Sequence, residues 1–137
     1  MKLQRPVIDW WPISLGYGVY PMWLRILLNK RNHAGIDYAC PVRTEVINPF
    51  VDGKGTRMVY IGDEPSGWGK YCVLRNVTNN NNIFFAVFAH LSRVIKGVGV
   101  PIRANETVAL SGKSGFAKGY HLHFSLFEAV DPNKYLS

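Results

Sequence analysis

A mostly β fold is predicted by two features of the chain. Short β-branched and aromatic runs recur between clusters of Gly, Pro and Asn, and no segment keeps a helical period for three turns. In chain order the runs are Thr44 to Ile47, Arg57 to Ile61, Tyr71 to Val77, Ile83 to His90, Thr107 to Ser111 and Leu122 to Phe127. Asn79 to Asn82 separates the third from the fourth. Four polar residues that tolerate the left-handed conformation mark a hairpin tip there. Val100 to Glu106, with Pro101 near its start, reads as a turn or a sheet edge. Only Tyr20 to Asn29 hints at a helix, through Trp23, Leu24, Leu27 and Leu28, and Pro21 keeps it short.

The chain has 137 residues, enough to bury one core without disulfide or oligomeric support, and a single domain over residues 1–137 is expected. Its hydrophobic fraction of 47% and charged fraction of 18% exclude a disordered chain. The net charge of +7 is spread from Lys2 to Lys134 without a dense block, which argues against nucleic acid as a partner. Diffuse positive charge suits either solubility or approach to an anionic surface.

Cys40 and Cys72 lie in apolar runs without the spacing of a structural zinc site, and both read as buried free thiols, a disulfide between them being the alternative. The N-terminal segment is broken by Pro6, Pro12, Gly16, Gly18, Pro21 and Arg25 and does not resemble a signal peptide. No stretch approaches the ~20 apolar residues of a membrane span, so membrane insertion is not expected. Synthesis in a cytosol, with delivery by some other route, follows as an expectation. The N-x-T patterns at Asn76 and Asn105 mean little without a secretory route.

Four histidines carry the chemistry. His33 opens an H-x-x-x-D with Asp37, His121 and His123 form H-x-H, and His90 closes the run FFAVFAH. On a strand the H-x-H side chains share a face, about 6 to 7 Å apart at the backbone. Two imidazoles and a carboxylate, with a fourth position open to water, are the donor set of catalytic zinc. His33, Asp37 and one histidine of the pair supply that count. Each motif alone is weak, since H-x-H arises by chance in many β proteins and H-E-x-x-H is absent. SGKSG is not a phosphate loop, because Thr107 stands where that motif requires glycine. Gly112, Gly115 and Gly119 read instead as loop hinges.

Four pieces in order, SLGYGVYP, HAGIDYACPVRTEV, FAHLSRV and ALSGKSGFAKGYHLHF, followed by DPNKYL, resemble the LytM and lysostaphin type of zinc endopeptidase from about Ser14 to Leu136. The resemblance implies packed, largely antiparallel sheets with an open active-site groove. It implies one zinc ion per chain on His33, Asp37 and His123, with His90, His121 and Tyr20 catalytic. The implied partner is bacterial peptidoglycan; with no signal peptide and no separate wall-binding domain expected, a monomeric phage lysin or virion-borne peptidase is the expectation. The alternative is an inactive wall-binding or amidase-activating module of the same fold, against which the intact ligand set argues. Departures fall around the site: an insertion at Ile26 to Arg31, Tyr120 before H-x-H, Ser125 where an acidic residue is common, and Asn105-Glu106 in place of a Gly-Gln turn. The insertion and the flanking Lys113 and Lys118 favour direct D-alanyl cross-links over glycyl bridges.

Overall fold

The computed structural model describes residues 1–7, 10–18, 33–117 and 119–136. Among the described residues nine strands form one antiparallel sheet: β1 (Ile13–Leu15), β2 (Ile36–Tyr38), β3 (Glu45–Ile47), β4 (Gly55–Glu64), β5 (Gly69–Val77), β6 (Ile83–Val94), β7 (Pro101–Ile102), β8 (Thr107–Ser111) and β9 (Leu122–Glu128). The order is β1-β2-β9-β6-β5-β4-β7, with β8 bonded to both β6 and β3. All six runs expected from the sequence are strands. The structure adds β1 and β2, and makes Pro101–Ile102 an edge strand against β4. The expected layers are joined: β6 pairs with β9 over Phe84–Ala89 and then with β8 from Leu91 to Val94. One long strand thus links the main sheet to the β8–β3 arm.

Alternation decides which side chains enter the core. On β5, Cys72, Leu74 and Asn76 are buried, whereas Tyr71, Val73 and Arg75 look the other way. Phe88 of β6 and Phe124 of β9 stand opposite each other and stack at 5.4 Å between ring centroids. Met58, Leu74, Leu122, Val46 and Val108 complete the cluster, the last two brought in by the β8–β3 arm. The opposite face of β9 presents His123 and Ser125.

The Asn79–Asn82 segment reverses the chain as expected. Asn81 takes φ +65° and donates its N–H to the Thr78 carbonyl. Asn76 is buried and accepts from the Thr56 hydroxyl at 2.9 Å, which makes it a sheet-binding amide. Cys40 and Cys72 are both free and buried, and burial pushes the Cys72 thiol up to about 12. Among the described residues no helix is long and apolar enough to cross a membrane.

Candidate metal centre

Strand pairing brings the two distant motifs together. Asp37 of β2 stands directly opposite His123 of β9. His33, four residues upstream, is held from the other side: its Nδ1–H donates to the Gly16 carbonyl at 2.8 Å, and its own carbonyl accepts from the Gly18 N–H. Gly35 lets this turn lie flat on β9. A Cβ there would fall 2.4 Å from the Phe124 carbonyl oxygen and 2.8 Å from Cε1 of His123.

The three side chains converge on one point. Asp37 Oδ1 lies 2.9 Å from His123 Nδ1 and 3.3 Å from His33 Nε2, and the two nitrogens are 3.2 Å apart. A carbonyl can only accept, so the bond to Gly16 places a proton on Nδ1 of His33 and leaves Nε2 as the nitrogen that faces Asp37 and His123. Donor atoms this close share either a proton or a metal ion. A tetrahedral zinc ion with bonds of about 2.0–2.1 Å places its ligand atoms roughly 3.3 Å apart. The donor set and spacing therefore fit zinc with little movement. Burial alone would raise the Asp37 carboxyl, but hydrogen bonds from His123 and His33 outweigh it and hold the group well below the usual carboxylate range. Burial would lower His33, yet bonding to Asp37 and Gly16 leaves it above its ordinary value.

Ser125, two residues beyond His123 on the same face of β9, places its hydroxyl 2.7 Å from His123 Nε2. A partner on the far nitrogen orients a ligand ring and settles which nitrogen faces the metal. Alternation along β9 was the available signal for it, and only the hydroxyl in place of a carboxylate obscured it.

His90 and His121 form a second group at the rim. Their ring centroids are 4.7 Å apart, and His121 Nε2 is 3.8 Å from Asp37 Oδ2. His121 Nδ1 donates to the Gly119 carbonyl and His90 Nδ1 to the Ser114 carbonyl, so each presents Nε2 for other use. Burial pushes His90 down to about 4; the Ser114 bond opposes this, and the neighbouring His121 and His123 add to it. Trp68 stands beside them, its ring 6.4 Å from His123 and 5.3 Å from Tyr71. Tyr20, the insertion at Ile26 to Arg31, the helical hint at Tyr20 to Asn29 and Lys118 lie outside the described residues. The anchoring carbonyls of Gly16, Ser114 and Gly119 have no side-chain signature that a sequence could display.

With this geometry in view, residues 31–133 match peptidase family M23. The chain belongs to that family. Among M23 relatives it is 29% identical over 133 residues to the peptidoglycan DD-endopeptidase ShyA of Vibrio cholerae, covering 91% of this chain and 28% of that protein. It is 30% identical over 111 residues to the glycyl-glycine endopeptidase ALE-1 of Staphylococcus capitis, covering 80% and 27%. The catalytic domain of lysostaphin from Staphylococcus simulans superposes with a TM-score of 0.71 at 26% identity, covering 91% of each chain. The chain spans 20 to 28% of the length of the first curated relatives it matches.

Proposed function

We propose that this M23 chain is a zinc-dependent endopeptidase that hydrolyses peptide cross-links of bacterial peptidoglycan, its metal held by His33, Asp37 and His123. The observation that carries the reading is the convergence of three metal-ligating atoms within 4.8 Å of one another, drawn from motifs ninety residues apart in sequence. Bound zinc would supply a Lewis acid that lowers the pKa of a water and polarises a scissile carbonyl.

The chain's own groups divide the remaining work. His90 stays neutral well below pH 7, and with Nδ1 committed to Ser114 its Nε2 is free to accept the proton of the attacking water. His121, across from it and anchored at Gly119, is within reach to hand a proton to the leaving amine and to donate to the developing oxyanion. Tyr20 is proposed as a further donor over the metal, on the strength of the family resemblance of GYGVYP.

The two named relatives divide between D,D and glycyl-glycine specificity at nearly equal identity, so the bond cut is argued from the open sheet face. Arg57 and Arg75 stand directly opposite each other across β4 and β5, on the face that carries Tyr60, Tyr71 and Val73. Like charges so placed repel, and among the described residues no carboxylate lies within ion-pair reach of either. A direct cross-link offers carboxylates and D-alanyl methyl groups to such a surface, whereas a glycyl bridge offers neither. Direct cross-links are therefore the proposed substrate. Release by a phage, at lysis or from the virion, is the proposed delivery, for which the net charge of +7 would help approach to an anionic wall.

Digestion of directly cross-linked and pentaglycine-bridged walls, followed by mass spectrometry of the products, tests both levels. New amino termini at the diamino acid are expected, and chelation should abolish their release. Cleavage confined to glycine bridges would overturn the substrate, and no cleavage by fully zinc-loaded protein would overturn the enzyme.

A further inference from the structure

His90 occupies an unusual place in the sheet. It is the residue at which β6 changes partner from β9 to β8. Opposite it, β5 pairs Lys70 with Leu91 and Cys72 with Phe88, so Ala89 and His90 together face the single residue Tyr71. That is a β-bulge, a device that re-aims a side chain and leaves ladder groups without their usual partners. His90 also takes φ +59°, a left-handed conformation uncommon outside glycine, although histidine enters it more readily than most residues.

The contacts around this bulge meet at Ser114, in the SGKSG segment that lies apart from the proposed zinc ligands. Its hydroxyl donates to the Leu91 carbonyl at 2.7 Å and accepts from the Lys70 N–H at 2.9 Å, bonding to both strands beside the bulge. Its carbonyl accepts from His90 Nδ1. The junction has no slack. A Cβ on Gly69 would lie 2.3 Å from the Ser114 carbonyl carbon, one on Gly115 would lie 2.2 Å from the Gly69 nitrogen, and Phe116 N–H donates to Gly67. The β4–β5 hairpin, β6 and the loop before H-x-H are thus pinned at one residue directly behind the His90 ring.

We infer that Ser114 is a positioning residue, whose hydroxyl fixes the bulge and whose carbonyl holds His90 in the Nδ1–H tautomer with Nε2 turned to the reacting atoms. This rests on the proposed role of His90 in proton transfer. The test compares wild type, Ser114→Ala, Ser114→Thr, His90→Ala and Ser114→Ala/His90→Ala as full-length, zinc-loaded protein. Ser114→Ala should keep its zinc and lower kcat at least ~10-fold with KM changed less than ~3-fold, since small misplacement of an acid–base group slows chemistry more than binding. Ser114→Thr should restore most of the loss. In the His90→Ala background Ser114→Ala should cost nothing further. Ring 15N shifts should show His90 as a single Nδ1–H tautomer in wild type and as a mixture in Ser114→Ala. Should Ser114→Ala fail to fold, Ser114→Cys carries the same comparison. An equal loss with and without His90, or an unchanged tautomer, would overturn the inference. If wild type cleaves no wall, the enzymatic reading fails, while the tautomer measurement still judges the positioning.

Discussion

His33 and His123 differ from His90 and His121 in what their rings face, although all four are imidazoles within one cleft. In the first pair the ring nitrogens meet each other and Asp37 at 2.9 to 3.3 Å, a spacing that a shared proton or metal ion bridges. In the second the rings stand 4.7 Å apart and each gives Nδ1 to a carbonyl, with His121 Nε2 3.8 Å from the outer oxygen of Asp37. The lesson is that the direction left to the near nitrogen separates the pairs, since His33, His90 and His121 alike give Nδ1 to a backbone carbonyl. Residue type alone does not distinguish a ligand from a proton carrier.

Breaking the converging group should have the largest effect. His33→Ala and Asp37→Ala should each lose bound zinc and all measurable wall hydrolysis, read by metal analysis beside release of soluble fragments. If Asp37→Ala kept a full complement of zinc, the carboxylate would have to be removed from the ligand set. The rim pair should behave otherwise. His90→Ala and His121→Ala should hold zinc at wild-type stoichiometry yet turn over at least ~100-fold more slowly, the scale of a lost acid–base or oxyanion group. Wild-type rates in both would reduce the pair to scaffolding.

A subtler change sharpens the same contrast. Ser125→Ala removes the partner of His123 Nε2 without touching a ligand, and zinc affinity should fall ~10- to 100-fold, as for other outer-shell partners. Competition against a chromophoric chelator would measure it, and an unchanged affinity would leave Ser125 as packing only. A last effect concerns acid. Buried His90 titrates near 4 in the folded chain against 6.5 for a free imidazole, so the unfolded chain takes up the proton first as pH falls. Its stabilising contribution is complete above pH 6.5 and declines towards pH 4. Denaturant titrations should show wild type losing on the order of 3 kcal/mol more than His90→Gln across that interval. Equal losses would mean that His90 is hydrated in solution.

Much of this architecture was legible before any coordinates. Runs such as YCVLRNV and IFFAVFAH are long enough for alternation to be read, and their bounding Gly and Asn residues mark where they stop. The three-residue strands Ile13–Leu15 and Ile36–Tyr38 are too short for a period, and β2 is strand-like only because β9 pairs with it. The cleft was legible through its imidazoles and Asp37. Its supports were not, because Gly16 and Gly119 act through backbone oxygen that every residue carries, and the Ser114 hydroxyl bonds to strands more than twenty residues away in sequence. The His90 bulge likewise arises from a mismatch in register between β5 and β6, which no local stretch of sequence contains.

The central claim, that neighbouring histidines of one H-x-H motif have been divided between metal binding and proton transfer, meets its most direct test in a single side-by-side measurement. Zinc bound per chain should be determined in purified wild type, His121→Ala and His123→Ala. The account predicts about one ion in wild type and in His121→Ala, and none in His123→Ala. Equal zinc in the two variants, whether both full or both empty, would contradict it.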